Sequence, residues 1–313
     1  MSELNRFKTN PKNIKRKLQE DAFFKMLFMA CAILSSMMIV IIVVFIMMKG
    51  LLPFLPGYKY GTQNFIKFFF GSVWRQDQGI YGVGFIILNT LFTGFLALMI
   101  AFPLSVLTAL FVAKIAPKPI ATFMQTIIEL LSSIPSVVYG VFAAGSIVLF
   151  VKNLALMFGV TTAGGNSMMA VVILLALMIL PTITTIAITA IRAVSVDLEQ
   201  ASLALGATRT QTNFKIVLSA AKSGIFAGAI LGLGRAFGEA TAVSMVAGNK
   251  LFGPTYNLFD ITRTMTSTIL AGLKETVGLD YDVRFTVGIV LMIVILLSNL
   301  SINFVKNRIG RTS

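Results

Sequence analysis

The sequence predicts an all-α, polytopic membrane protein with six transmembrane helices, on the evidence of its composition and its apolar runs. Of the 313 residues, 57% are apolar and only 12% are charged, and the mean hydropathy is +0.88. A soluble domain would need more polar residues to cover its surface. Six apolar runs, each long enough to cross the roughly 30 Å hydrocarbon core, alternate with polar or basic segments.

The residue types that are missing exclude several kinds of chemistry. The chain has no histidine and one cysteine, Cys31, so an intrachain disulfide framework and histidine-based metal or acid–base chemistry are excluded. It also lacks a G-x-x-x-x-G-K-[ST] motif, so any ATP used in its function must bind to another subunit. We therefore expect no catalytic residue, no metal and no cofactor.

The net charge of +14 would suit a nucleic-acid partner in a soluble protein. Here, however, the basic residues lie beside the apolar runs. In that position they act as topology signals and contact anionic membrane lipid. We therefore expect membrane lipid, and no nucleic acid, as a partner.

The first 22 residues form a basic segment that we expect in the cytoplasm, ahead of a first span at about 23–48. This span is too long for a signal-peptide core and has no small-residue cleavage site after it, so we expect it to be retained. An external loop follows at 49–79, with aromatic residues that are typical of interface anchors. They are Phe68, Phe69, Phe70 and Trp74.

The second to fourth spans are predicted at about 80–112, 121–151 and 167–190. A short basic turn, expected in the cytoplasm, separates the second span from the third. The third span contains Glu129, which would be a charge inside the membrane. It also contains Pro135, which predicts a kink packed against protein because proline leaves a backbone carbonyl without its donor.

The fifth span, at about 220–247, contains the most unusual residues of the chain. Its Gly224, Gly228 and Gly232 recur every four residues, a spacing that allows close helix packing. Arg235 would lie roughly 22 Å along the helix from Ser219, well inside the membrane. Charges at that depth cost about 2.5–3.5 kcal/mol and usually face a partner or an internal path. Arg235 and Glu239, four residues apart, could therefore line a path or neutralise each other.

The loop at 191–219 precedes this span and is polar but regularly patterned. Apolar residues recur at helical spacing on both sides of Gly206, which predicts two short amphipathic helices with a break between them. An exposed helix pair on the cytoplasmic face would suit docking of a cytoplasmic motor. A plain surface loop is the alternative.

The rest of the chain comprises an external loop at 248–283, a sixth span at about 284–305 and a basic cytoplasmic tail at 306–313. With six spans and both termini in the cytoplasm, about sixteen of the 26 Lys and Arg residues lie inside and about nine outside. This distribution agrees with the positive-inside rule, whereas a five-span topology would not.

Within 191–219, the pattern Q-A-S-x₃-G-x₉-I-V-L resembles the EAA motif, by which permeases of ABC importers dock on their ATPase subunits. Gln200 stands where glutamate is usual, with Glu199 adjacent, and Ser219 stands where proline is usual. The resemblance does not decide between Glu199 and Gln200 for the polar contact of the motif. The residues it assigns to ATPase coupling are Glu199, Gln200, Ala201, Ser202, Gly206, Ile216 and Leu218.

Three further stretches, ELLSSIPSVVYG, LALGATRTQT and LGRAFGEATAVSMVAGN, are similar to phosphate-specific ABC importer permeases of the PstC type. This resemblance extends over all six spans and implies the MetI-like fold of type I ABC importers. It also implies that Arg235 and Glu239 lie on the path of phosphate. The implied partners are a second permease (PstA-type), an ATPase dimer (PstB-type) and an extracytoplasmic phosphate-binding protein (PstS-type).

Two other functions remain open on the sequence. The docking motif is shared among importers, so sulfate or molybdate could be the transported oxyanion. An ion-coupled secondary transporter would predict inverted repeats with matching broken helices. The two halves of this sequence show no such symmetry.

Overall fold

The computed structural model describes residues 11–310, with side chains from 18 to 304 and at Lys306. Helix α1 (Pro11–Leu51) is continuous and includes the predicted first span. Residues up to Lys49 form one unit and those from Gly50 form a second. The described apolar side chains of the first unit are exposed, except for the half-buried Ile46. Parts of the predicted basic segment and tail, residues 1–10 and 311–313, lie outside the described residues.

The predicted external loop at 49–79 contains regular structure. A 3₁₀ turn (Leu52–Phe54) is followed by α2 (Phe65–Phe70). A small antiparallel hairpin then pairs β1 (Trp74–Arg75) with β2 (Ile80–Tyr81). The chain is otherwise helical throughout its regular described segments.

Two of the four aromatic residues predicted as interface anchors have a different role. Phe68 and Trp74 are each only 1% exposed and belong to one apolar cluster, so the anchor prediction is wrong for them. The hairpin folds the chain back so that the Trp74 ring packs edge-on against Tyr81, with centroids 5.2 Å apart. Phe70, by contrast, is 84% exposed, as expected of an anchor.

Helix α3 (Gly84–Leu110) continues into a π-helical turn (Phe111–Ile115) and covers most of the predicted second span. Helix α4 (Lys118–Ser133) follows, and the chain then leaves helical geometry at Ile134, whose ψ is 128°. The residue before a proline is driven into extended geometry by steric contact with the proline ring. Pro135 therefore breaks the helix instead of kinking it.

Beyond this break the chain forms α5 (Ser136–Phe142), a π-helical turn (Ala143–Ile147) and α6 (Val148–Met157). The helical stretch that is long and apolar enough to cross a membrane is Ser136–Met157, shifted from the predicted 121–151. Glu129 lies in α4, before this stretch, and is exposed. Glu129 thus lies outside the candidate span, and its position as an intramembrane charge stays a prediction.

Helix α7 (Met168–Arg192) is the most buried of the candidate spans, because 67% of the residues in its most apolar stretch are buried inside the protein. A spanning helix that is apolar on all sides and buried must be surrounded by other helices. Its residues join a core that includes side chains from α3, from the π-helical turn before α6, from α6, and from α10 and α11.

After α7 come α8 (Val196–Ala204), the short α9 (Arg209–Gln211), a π-helical turn (Thr212–Val217) and α10 (Leu218–Gly238). The π-helical turn runs into α10 without a loop. Ser219, which sequence reasoning places at a helix start, therefore lies inside a continuous helical segment.

The chain ends with α11 (Thr241–Val246), α12 (Met265–Leu270) and α13 (Leu279–Gly310). The last of these begins five residues before the predicted sixth span. Within the described residues, six helical segments are long and apolar enough to cross a membrane. The predicted fold class, an all-α protein with six such helices, is confirmed.

The glycines of α10 lie against α7. A Cβ at Gly224 would lie 2.4 Å from the Ala190 Cβ, and one at Gly232 would lie 2.7 Å from Ile183 Cγ1. Gly228 faces the same helix, where the nearest atoms would be 3.3 Å away. The predicted packing role of these three glycines is confirmed, because no larger side chain fits at Gly224 or Gly232 without movement of α7.

We expect Gly224→Ala to destabilise the protein by about 1–3 kcal/mol, since the new methyl group would collide with Ala190. Gly234→Ala is the matched control in the same helix, because a Cβ there meets nothing within 4 Å. It should be neutral or should stabilise by up to about 1 kcal/mol. Thermal unfolding of the purified chain in detergent measures both. Equal stability of the two variants would contradict the packing described here.

Candidate functional site

The candidate site lies where α10 ends and α11 begins. Glu239 has extended geometry, with φ −74° and ψ 113°, so it lies outside the helix that contains Arg235. Side chains four residues apart face each other only on a continuous helix. The expectation that Arg235 and Glu239 share one helical face is therefore wrong.

Arg235 lies in the last turn of α10 and is half-buried. Its Nη1 donates a hydrogen bond to Thr182 Oγ1 of α7, at 2.9 Å. Its positive charge also interacts electrostatically with the Tyr139 hydroxyl of α5. A cation at a helix C-terminus is favoured by the partial negative charge of the terminal carbonyls.

Glu239 has its own partners. Its Oε1 accepts a hydrogen bond from the Ala242 backbone N–H, at 3.1 Å, in the first turn of α11. Its backbone carbonyl accepts one from Thr266 Oγ1, at 2.7 Å. Ion pairs of the described residues include Lys114–Glu199 and Lys250–Asp260. Arg235 and Glu239 form no such pair with each other, so they do not neutralise each other directly.

Helix α5 closes the other side of this region. Gly140 allows α5 to approach α11, because a Cβ there would lie only 2.8 Å from the Ala242 Cα. Four helices, α5, α7, α10 and α11, therefore meet around Arg235 and Glu239. A guanidinium offers five N–H donors, and one of them is used by Thr182. The others can bind the oxygens of an anion.

The segment predicted to dock a motor is the second candidate region. Gly206 has φ +84°, in the left-handed region, and separates α8 from α9. The predicted break at this glycine is confirmed. A capping box of Thr208 and Gln211 begins the second helix, and Ser202 Oγ lies 2.9 Å from Thr212 Oγ1, which joins the two sides.

This segment presents apolar side chains outward. Leu205 is 89% exposed. Such a large exposed fraction is unusual for a leucine, and several other exposed apolar residues lie in the same segment. The exposed apolar residues of the segment are Val196, Leu198, Leu203, Leu205, Phe214 and Ile216. Of the residues assigned from the EAA resemblance, Gln200 and Ala201 are also exposed, whereas Ser202 and Leu218 are half-buried.

Glu199 and Gln200 differ in their surroundings. The Glu199 carboxylate forms an ion pair with Lys114 at the end of the π-helical turn after α3. Gln200 is exposed. The Glu199 carboxylate is therefore paired within the chain, whereas the Gln200 side chain is accessible at the surface.

A family model described as "Binding-protein-dependent transport system inner membrane component" matches residues 101–312, which include both candidate regions. The chain belongs to this family. As a permease subunit of this family, it is a non-catalytic, multi-pass inner membrane protein, and ATP hydrolysis belongs to a separate subunit.

Individual relatives agree with this assignment. The chain is 34% identical over 288 residues to a probable ABC transporter permease, YqgH, of Bacillus subtilis, covering 91% of this chain and 90% of that protein. It is 32% identical over 270 residues to the phosphate transport system permease PstC of Pasteurella multocida, covering 79% and 84% respectively. The predicted resemblance to PstC-type permeases is confirmed.

The fold is similar to that of a chain in a bacterial alginate ABC transporter. The TM-score is 0.63 at 20% identity, and the match covers 94% of this chain and 97% of that one. A chain of the MetNI methionine ABC transporter matches with a TM-score of 0.52 and covers 72% of this permease and 94% of that chain. The expected ABC importer permease fold is confirmed.

Sequence reasoning missed three contacts of the permease. Thr182 lies 53 residues from Arg235, Thr266 lies 27 residues from Glu239, and Lys114 lies 85 residues from Glu199. A threonine or lysine in such positions is common, and nothing in its sequence neighbourhood indicates its partner. Only the folded arrangement of the helices reveals these pairs.

We expect Arg235→Gln and Glu239→Gln to change the stability of the permease additively, to within about 0.5 kcal/mol, because the two side chains have separate partners. The matched pair Lys114→Gln and Glu199→Gln should instead show coupling, because these side chains form an ion pair. Double-mutant cycles from thermal unfolding in detergent give both numbers. A coupling energy between Arg235 and Glu239 larger than that of the Lys114–Glu199 control would contradict the geometry.

Proposed function

We propose that this chain is the PstC-type permease subunit of an ATP-driven phosphate importer and that Arg235 contacts the phosphate as it passes. The observation that carries the proposal is the position of Arg235. Its guanidinium is half-buried at a helix break within a spanning segment, bonded to Thr182 and without a direct ion pair to Glu239. The PstC relatives support the choice of phosphate.

The chemistry of this site suits an oxyanion. A guanidinium is always charged and presents parallel N–H groups that match two oxygens of a phosphate. Thr182 accepts one N–H of Arg235 and so fixes the Arg235 side chain. The remaining Arg235 donors are therefore oriented before the anion arrives. Transport also requires that the anion leave, so binding must stay weak.

Glu239 contributes to this balance in the proposal. Its carboxylate is held at the start of α11 by Ala242, on the opposite side of the helix break from Arg235. A negative charge there repels the anion. Glu239 therefore limits how tightly phosphate is held, without occupying the arginine itself.

The segment 196–218 is the proposed docking site for the ATPase subunit. Its exposed apolar side chains and exposed Gln200 would meet the ATPase, while Glu199 ties α8 to Lys114 and so to α3. The π-helical turn after α9 runs directly into α10. A movement of the docking segment would thus reach Arg235 through one continuous helix.

The other proposed partners are a PstA-type permease, a PstB-type ATPase dimer and a PstS-type binding protein. The proposal has both termini in the cytoplasm and the loop 248–283 outside, where it would help to receive the binding protein.

Lys250 and Asp260 form an ion pair in this loop. Burial raises the pKa of Asp260, but the hydrogen bond and charge of Lys250 outweigh it, so the pKa lies below its ordinary value. The pair therefore persists at neutral pH.

A permease for sulfate or molybdate is the alternative within the same class. Both anions are tetrahedral, and Arg235 alone would accept either. Competition of these anions with phosphate uptake distinguishes the two functions.

Arg235→Gln should lower phosphate uptake about 10- to 100-fold while the complex still assembles, because a charge-assisted hydrogen bond contributes about 1.5–3 kcal/mol. Arg235→Lys should recover little, since an ammonium lacks the planar fork. Thr182→Val should cost less, because it removes only an orienting bond. The measurement is uptake into vesicles that contain all subunits, normalised to assembled complex. Substantial uptake by the Arg235→Gln, Glu239→Gln double variant would refute the pathway role.

Gly206→Val should leave membrane insertion intact but uncouple ATP hydrolysis from uptake. A β-branched residue is strained at φ +84° and would shift α8 relative to α9. Gly206→Asn is the matched control, because asparagine tolerates the left-handed region. ATP hydrolysis and uptake are measured on the same vesicles. Normal coupling in the valine variant would count against the docking role.

Topology can be tested with single cysteines in a Cys31→Ser background. Thr266 lies in the predicted external loop, but it is only 5% exposed and donates a hydrogen bond to the Glu239 carbonyl, so it is unsuitable. Tyr256 is 70% exposed, and Tyr256→Cys should react with an impermeant maleimide added outside intact cells. Leu205 is 89% exposed, and Leu205→Cys should react only after permeabilisation. The reverse pattern would overturn the proposed orientation.

A further inference from the structure

Arg284, near the start of α13, is a buried cation that the transport mechanism above does not use. It is 1% exposed. Its Nη1 donates hydrogen bonds to the carbonyl oxygens of Thr268 and Ile269. Its Nε and Nη2 are buried and have no acceptor among the described residues. A buried charged donor without an acceptor is costly, so such a group calls for an explanation.

The two unpartnered nitrogens lie on the same edge of the guanidinium. The N–H groups of Nε and Nη2 point in parallel, and this edge forms paired hydrogen bonds with the oxygens of carboxylates and phosphates. Nη1, on the other side, is fixed by backbone carbonyls. Arg284 is therefore oriented by the protein with its anion-binding edge unfilled.

A second buried cation lies nearby. Arg263 is 7% exposed, donates from Nη2 to the Asn249 carbonyl at 3.1 Å, and has an unpartnered Nε. Burial, together with the positive charge of Arg284, lowers the pKa of Arg263 to about 10. Arg263 therefore remains charged at neutral pH. Neither arginine forms an ion pair with any described residue. Arg284 is attracted by the nearby charges of Asp280 and Glu275, but neither carboxylate contacts its guanidinium.

The carboxylates of the chain near Arg284 do not fill its free edge. Asp280 accepts a hydrogen bond from the Tyr81 hydroxyl. Glu275 is exposed and lies close to Arg284. A Cβ at Gly272 would be 3.6 Å from Arg284 Nη2 and 3.8 Å from Glu275 Oε2. Gly272 is itself exposed, so Nη2 lies just beneath a surface turn, next to a carboxylate that could compete with an entering anion.

This cationic pair also connects with the first site. Thr266, three residues from Arg263, donates to the Glu239 carbonyl at the break between α10 and α11. The parallel bridge between Gly248 and Thr262 holds the start of the same segment beside the end of α11. The segment 262–268 thus links the buried arginines to the site that contains Arg235.

We propose that Arg284, assisted by Arg263, forms a second oxyanion site on the extracytoplasmic side of the permease, which receives inorganic phosphate before Arg235 does. The Nε and Nη2 edge of Arg284 binds two phosphate oxygens, and Glu275 competes for the same edge. This inference rests on the function proposed above, and it adds a residue pair for substrate entry.

The test is equilibrium binding of radiolabelled inorganic phosphate to the complete importer complex in nanodiscs, in an Arg235→Gln background that removes the first site. Arg284→Lys keeps a charge and a donor for the Thr268 carbonyl but lacks the paired edge, and it should weaken binding at least about 10-fold. Glu275→Gln should strengthen binding several-fold by removing the competing carboxylate. Lys274→Gln, in the same exposed turn, is the matched control and should change binding less than about twofold.

Phosphate binding that responds to Arg284→Lys and Glu275→Gln but not to Lys274→Gln would support the site. Absence of binding in the Arg235→Gln background, or binding that is unchanged by Arg284→Lys, would overturn it and leave Arg284 with a structural role. Uptake by the unaltered complex tests the proposed function separately. A phosphate importer without this second site would show normal uptake and no such binding.

Discussion

The packing of α10 against α7 determines where Arg235 lies. The two helix backbones are brought close together by Gly224, Gly228 and Gly232. Along α10 from Gly224 to Gly232, the contacts on α7 run backwards from Ala190 to Ile183. One turn further, the same register places Arg235 against Thr182. Helices in lipid lack a hydrophobic driving force for association, so close approach through small residues is what holds them together. A displacement of this interface would move the guanidinium as well as the helix.

The break after Gly238 depends on that packing and on side chains that replace the missing helical hydrogen bonds. Backbone groups in the membrane interior must find partners within the protein. Glu239 supplies an acceptor to Ala242, and Thr266 supplies a donor to the Glu239 carbonyl. The acid is therefore held at the break itself. This arrangement separates the two charges that a continuous helix would have paired, and it leaves the arginine donors available for an anion.

Several features could be predicted from the sequence because their cause is local. The break at Gly206 follows from a conformation that glycine adopts without strain. The packing face of α10 follows from the four-residue glycine spacing. Other local signals were compatible with more than one structure. Pro135 ends a helix where a kink was expected. Glu239 lies outside the helix that the apolar sequence around it predicted.

The sequence by itself determined that this chain is a six-helix membrane protein of the ABC importer permease type, because apolar length and local motifs are properties of the linear chain. The tertiary structure decided which charges meet. Lys114 pairs with Glu199, and Thr182 orients Arg235. The charges of the buried Arg263 and Arg284 act on each other, and each side chain has nitrogen donors with no acceptor among the described residues. These contacts join residues that are distant in the chain, and their geometry depends on helix register and on the positions of helix breaks. The residue pattern of the sequence specifies neither the helix register nor the positions of these breaks.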